Sequence, residues 1–327
     1  MSSVVHRGAV VVSAALAVLF YAPVAGAEIT DRELLEQYQP VLQLDPAEQF
    51  RPASIQSFVA DSDLEQFGGG SWTLVDADPE PGELPAPGTG TWRLNQDSCS
   101  PTLPIGGLAC YAAAGSEGDG ASVVYARVIR PSGAIVLQYW YFYYDNTYSY
   151  AYPPSNFIWQ AHEGDWEVVN VVLSEDEQPR FVGYSQHCLG QQRAWDSTLP
   201  RLDTHPIVYV AAGSHANYFS AGIHSIDTDC LPAQAIAFLR QHMLPLPVDR
   251  SFDGGEVAGP REAGDTFTHI RVIEDGHPSW VAFPGFWGEL QYVHAPPGTL
   301  PFGTSPQGPA YHAVWEDPLG TMARWPD

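Results

Sequence analysis

The densest cluster of chemically capable side chains is Ala161-His162-Glu163-Gly164-Asp165-Trp166-Glu167, which runs directly into the apolar stretch Val168 to Leu173. Side chains alternate along a strand, so Asp165 and Glu167 project from one face while Trp166 points to the other. His162, placed just before that strand, is expected to fold over the same end. Upstream, the aromatic run Gln138 to Tyr144 ends in Asp145, a further carboxylate at a strand end. Asp145, His162, Asp165 and Glu167 are therefore the expected ligands of one divalent cation at a strand mouth. Three carboxylates with one imidazole suit Mg²⁺, Ca²⁺ or Mn²⁺ better than zinc, which prefers more His or Cys. The same residue types also make a general acid/base pair. In that alternative the chain is a metal-dependent extracellular hydrolase using His162, Asp165 and Glu167. His187 and His215, each just past an apolar strand, are then the candidate catalytic acid/base. A third reading is a structural cation clamp with no ligand.

A nucleophile is harder to find. Gly183-Tyr184-Ser185-Gln186-His187 is close to the G-x-S-x-G elbow, but His187 replaces the second glycine that the tight strand-to-helix turn needs. Cys188-Leu189-Gly190 does not open a helix, so Ser185 reads as structural.

The elements that must position these residues are mostly strands. Residues 121–130, 134–144, 167–173, 180–185 and 206–211 are short, rich in Val, Ile, Tyr and Phe, and separated by Gly, Pro, Asp or Ser. Residues 270–273 and 280–283 read as late strands. Thr30-Asp31-Arg32-Glu33 has capping-box form and opens a short helix, residues 54–66 read as another, and 231–243 as a third. Residues 76–90 and 244–265 read as Pro/Gly-rich loops. Strands without alternating helices predict a mainly β protein, an antiparallel two-layer β-sandwich with a few short peripheral helices. A single domain over residues 28–327 is expected.

Residues 1–27 have the form of a signal peptide: His6 and Arg7, an apolar run to Tyr21, then Ala25-Gly26-Ala27. The chain is thus expected to be secreted, with no transmembrane segment after cleavage. Four cysteines in such a chain are expected to pair, and three connectivities exist. Cys99 and Cys110 enclose a short Pro/Gly-rich segment, which favours their pairing and leaves Cys188 with Cys230. The 14 basic residues are all Arg, against 38 acidic ones, for a net charge of −24. A surface so acidic disfavours nucleic-acid partners.

The set H-E-G-D-W-E (162–167), Y-S-Q-H (184–187) and H-P-I-V-Y-V-A-A-G-S-H-A-N-Y-F (205–219), with F-W-G (286–288) and W-E-D-P (315–318), resembles the vacuolar protein sorting-associated protein 62 family. The segment A-H-E-G-D-W-E is also similar to G-H-R-H-D-W-E, the signature of the necrosis- and ethylene-inducing-like (NPP1-type) proteins, secreted cytolysins with a β-sandwich. That second resemblance implies cation ligation by His162, Asp165 and Glu167, with Asp145 as the upstream acidic ligand. Glu163 and Gly164 replace that family's Arg and His, a departure that bears on lipid recognition more than on metal binding. Together these readings point to a secreted, divalent-cation-binding, toxin-like protein that binds a cell-surface glycan or lipid.

Overall fold

The computed structural model describes residues 29–96, 99, 110–112, 122–152, 156–231, 233–260, 269–274, 278–289, 292–295, 298–301 and 305–326. The expected signal peptide lies outside them. Helix α1 (Asp31–Gln37) opens under the expected capping box. Thr30 Oγ1 accepts from Glu33 N at 3.2 Å, and a Glu33 carboxylate oxygen accepts from Thr30 N at 2.8 Å. Then come β1 (Val41–Leu44) and α2 (Ile55–Ala60). The helix expected over 54–66 stops at Asp61. From Ser62 onward Leu64 points inward while Asp63 and Glu65 flank it, which is a strand pattern.

The chain continues through β2 (Ser62–Gly68), β3 (Ser71–Asp76), β4 (Trp92–Gln96) and β5 (Val123–Ile129). Two 18-residue strands follow, β6 (Ile135–Tyr152) and β7 (Asn156–Leu173), then β8 (Pro179–Gln186) and β9 (Leu189–Ala194). Short strands come next: β10 (Arg201–Leu202), β11 (His205–Val210), β12 (Asn217–Tyr218) and β13 (Ile223–Ser225). Helix α3 (Ala233–Gln241) separates β13 from β14 (Val248–Arg250), and β15 (Val257–Ala258) follows, both inside the expected loop 244–265. The last strands are β16 (His269–Val272), β17 (Phe286–Trp287), β18 (Tyr292–Ala295) and β19 (Gly298–Pro301). Helices α4 (Ala313–Glu316) and α5 (Pro318–Met322) close the described chain. The strand expected at 280–283 is instead a 3-10 turn, Ser279–Ala282, bounded by Pro278 and Pro284. Neither proline can donate to a ladder.

The fold is mainly β and sandwich-like. Its largest sheet runs β16-β5-β6-β7-β18-β19, with β8 on β7 and β9 on β8. A second sheet runs β10-β11-β1-β15 with β12 on β11, a third runs β17-β4-β2-β3, and β13-β14 form a ribbon. Most pairs are antiparallel. The parallel ones, β1 with β11, β16 with β5 and β17 with β4, join strands far apart in sequence and make no βαβ core.

The aromatic run in β6 does not alternate because both of its faces are covered, as happens when a strand is buried on two sides. Trp140, Phe142 and Tyr144 meet Trp315, Phe58 and Trp287 on one face; Phe58 lies 4.7 Å from Phe142. Tyr139, Tyr141 and Tyr143 lie on the other, where Tyr139 donates to Leu35 O at 2.9 Å and Tyr143 stacks on His215.

Both expected disulfides are present, Cys99–Cys110 and Cys188–Cys230, spanning 11 and 42 residues. In the chain-entropy model the longer loop contributes about 4 kcal/mol and the shorter about 3. Replacing Cys188 and Cys230 together by Ala is therefore expected to lower the urea midpoint more than replacing Cys99 and Cys110. The reverse order would place the stabilisation in native contacts and not in the unfolded chain.

Candidate functional site

The H-E-G-D-W-E segment lies inside the long strand β7, not at its mouth. Register pairs Tyr141 with Glu167, Phe142 with Trp166, Tyr143 with Asp165 and Asp145 with Glu163. As expected, Asp165 and Glu167 share a face and Trp166 takes the opposite one, among Phe142, Trp280 and Trp287. Gly164 has φ +59°, and a Cβ there would sit 2.0 Å from Trp287 O. That left-handed, crowded position is open to glycine alone.

A buried charge network fills the Asp165 face. His215 Nδ1 lies 2.9 Å from Asp165 Oδ2, and its Nε2 lies 3.6 Å from Glu48 Oε1, an ion-pair distance too long for a hydrogen bond. The His215 ring stacks on Tyr143 at 3.8 Å. Burial would depress His215, but the charges of Glu48 and Asp165 lift its pKa to about 9. Burial would likewise raise Glu48, yet His215 and the amides of Gly213 and Phe50 hold it below its ordinary value.

Glu167 accepts from the Ser185 hydroxyl and, at 3.3 Å, from Asn217 Nδ2. Burial and the neighbouring Asp165 push Glu167 well above the usual carboxylate range. Ser185 also accepts from Val168 N at 2.8 Å. With a further bond accepted from Asn217 Nδ2 at 3.4 Å, its partners are all protein groups on β7 and β12, in keeping with a structural serine.

Asp145 is fully buried, and neither of its oxygens has a hydrogen-bond partner. Burial raises its pKa to about 7, against the opposing influence of Thr147 and His215. His162 is buried with Nδ1 on the carbonyls of Glu163 and Gly164, at 3.1 and 2.8 Å, and burial lowers its pKa.

His187 sits apart from Asp165. Its Nε2 lies 2.7 Å from Asp249 Oδ2, and its side chain is 24% exposed. Asp249 also accepts from Tyr218 and Ser214, both at 2.6 Å. Burial works against the charge on each partner, yet the pair holds His187 above and Asp249 below its ordinary pKa. Both His187 and His215 have φ +53°, a conformation uncommon outside glycine.

The structure thus brings Asp165, Glu167 and His215 onto one buried face, adds Glu48, and gives His187 a separate partner. Glu48, from D-P-A-E-Q-F, and Asp249, from P-V-D-R, carry no motif and were invisible to spacing arguments. Among the described residues no group of three or more His, Cys, Asp or Glu is placed to hold a metal ion. Glu167, Asp165 and His162 are each committed to bonds within the protein.

A cleft of about 560 Å³ lies elsewhere, bounded by Val41, Gln43, Ile207, Glu256 and Val257 of the second sheet and its margins. No helix among the described residues is long and apolar enough to cross a membrane.

No family model matches the chain, so the resemblance to the vacuolar sorting-associated family has no support from that comparison, and no curated protein matches it. Similar solved structures include necrosis and ethylene inducing protein 2 from the causal agent of cocoa's witches' broom disease. It is 18% identical with TM-score 0.30, over 57% of this chain and 67% of that one. NLPPya in complex with glucosamine is 17% identical with TM-score 0.34, over 58% and 68%. The non-toxic HaNLP3 protein is 15% identical with TM-score 0.29, over 55% and 63%. The likeness is to necrosis- and ethylene-inducing proteins, and at these TM-scores it transfers no function.

Proposed function

We propose that the chain is an exported binding protein that engages extracellular or cell-surface glycan, without catalysis, through the outer face of its β2-β3-β4 sheet. The observation that carries this reading is an aromatic pair, one ring exposed and the other half-buried, set among polar groups on the outer face. Phe67 and Trp72 are cross-strand partners with ring centroids 5.3 Å apart, and Phe67 is 46% exposed. Register places Glu65 opposite Arg93 and Asp63 opposite Asn95 on the same face. The Arg93 guanidinium lies 4.6 Å over the Trp72 ring and pairs with Glu65. The opposite face buries Leu64, Leu94 and Gln96, so the aromatics outside are surplus to the core. An exposed apolar patch rimmed by polar groups marks a binding surface. Aromatic rings offer flat apolar faces for the C–H side of a sugar, while carboxylate, amide and guanidinium groups meet its hydroxyls.

The buried network supports binding over chemistry. Asp145, Asp165, Glu167 and His215 are all under 10% exposed, so their reacting atoms face protein and not substrate. The divalent cation expected at Asp145, His162, Asp165 and Glu167 stays outside this reading, because three of those four side chains already have partners.

The test is calorimetry of the mature protein against a panel of neutral and amino-sugar oligosaccharides. Phe67→Ala with Trp72→Ala is expected to weaken binding at least tenfold while the melting temperature stays within a few degrees. Equal binding by wild type and the double variant, or no glycan bound by wild type, would overturn the proposal.

A further inference from the structure

The hairpin joining β8 to β9 has a two-residue loop. Gln186 pairs with Leu189, so the loop is His187 and Cys188 alone. Such loops need positive φ, which is why glycine and asparagine dominate them. His187 stands there with φ +53°. A residue other than glycine held in this region points to a task for its side chain. Both loop residues reach the same distant segment. Cys188 is bonded to Cys230, and His187 Nε2 lies 2.7 Å from Asp249 Oδ2. The stretch between those two partners carries α3, so one hairpin tip grips both ends of the excursion from 230 to 249. Asp249 is a firm anchor: it is completely buried and also accepts from Ser214 and Tyr218 at 2.6 Å.

Core packing holds the excursion only lightly. From 233 to 248 the buried residues are Ala235, Leu239 and Pro247. The end of α3 is closed by bonds within the segment, His242 N and Leu244 N donating to Phe238 O and Leu239 O at 3.1 and 2.8 Å. Tyr148 ties the far end to the large sheet, donating to Val248 O at 2.7 Å. A segment with few buried apolar contacts lies at the low end of local stability. Joining its ends to one fixed point removes much of the chain entropy it would gain on opening.

The two disulfides differ in access. Cys188 is exposed, whereas Cys99 is half-buried and packs against the main core. Thiol exchange proceeds at a sulfur that an external thiolate can reach. We infer that Cys188–Cys230 is a redox latch: its reduction frees the 230 end and lets α3 leave the body, while the His187–Asp249 pair keeps the 249 end in place. The reductant is a dithiol. Its thiolate attacks Cys188 Sγ, the bridge breaks, and Cys230 leaves as a thiolate that takes up a proton. The second thiol then displaces Cys188 from the mixed disulfide. The dithiol ends as a cyclic disulfide and both cysteines as thiols, a two-electron reduction. The latch is separate from the β2-β3-β4 face and does not rest on glycan binding.

Hydrogen exchange of the mature protein, with and without dithiothreitol, tests the inference. Reduction is expected to speed exchange across 233–247 by about tenfold or more while β6 and β7 keep their protection. It should also cleave Cys188–Cys230 before Cys99–Cys110. Cys188→Ser with Cys230→Ser should reproduce the fast exchange without reductant. His187→Gln in the oxidised protein should loosen only the β14 end, and with reduction the fast region should extend through Asp249. Unchanged exchange across 233–247 on reduction would overturn the latch. Loss of protection throughout β6 and β7 would overturn it too, because the bridge would then support the whole fold. So would cleavage of Cys99–Cys110 first.

Discussion

Asn in place of Asp145 is expected to flatten the pH dependence of stability between pH 5 and pH 9 by about 2–3 kcal/mol. Asp145 is a carboxyl group with no exposure, whose pKa burial raises to about 7. In the unfolded chain the same group titrates near 4. Between these values the folded state holds a proton that the unfolded state has lost, so stability falls as pH rises and levels off above the folded pKa. Glu163 adds to the trend, because burial raises it to about 8. Asp249 and Glu48 work the opposite way: their folded pKa values are depressed, so their contribution is lost only as pH falls below the ordinary carboxylate range. Wild type is therefore expected to be most stable in mildly acidic solution. Asparagine cannot ionise, so the Asp145 share of the alkaline loss disappears whatever constant offset the substitution introduces. Urea denaturation of both proteins at pH 5 and pH 9 measures the double difference. An unchanged slope would mean that Asp145 is ionised at both pH values in the folded protein, which requires a cation or donor beside it.

Much of this architecture was legible in the sequence, and the gaps have physical causes. The capping box at Thr30, the disulfide partners and the opposed faces of Asp165 and Trp166 follow from local rules that tertiary structure had no reason to override. The lengths of β6 and β7 were not legible. A strand covered on both faces has no alternation to mark its limits, and Gly164 in the middle of β7 reads as a boundary. Its real role is set by the Trp287 carbonyl, more than a hundred residues away. Glu48 and Asp249 were missed for a similar reason. Each is an ordinary acid in a loop-like stretch, and only the packing of β11, β12 and β14 against the large sheet brings it to a histidine. The carbonyls that hold His162 Nδ1 were not legible either, because the left-handed turn at Gly164 places them. The β13-β14 ribbon was also hidden, since a short segment flanked by Pro reads as a loop until pairing fixes which side is buried.

Alanine in place of His215 is expected to destabilise the protein by about 3–5 kcal/mol at pH 6, among the largest single losses in the molecule. His215 is fully buried and compensates two carboxylates at once: Asp165 at 2.9 Å and Glu48, whose side chain is 1% exposed, at 3.6 Å. Removing the imidazole leaves both acids without their cation in a site that water does not reach, and strips the stacked face from Tyr143. The sign of the pH effect follows from the raised pKa of about 9. A histidine whose folded pKa exceeds its unfolded value near 6.5 contributes fully below 6.5 and loses that contribution as pH rises through 9. The deficit of His215→Ala relative to wild type should thus be large at pH 6 and shrink by pH 10. His215→Ala with Asp165→Asn should recover part of the loss at pH 6, because the stranded charge is removed with its partner. Denaturant curves at both pH values for the two variants decide the matter. A deficit that is the same at pH 6 and pH 10, with no recovery in the double variant, would show that His215 is held neutral and stabilises by packing alone.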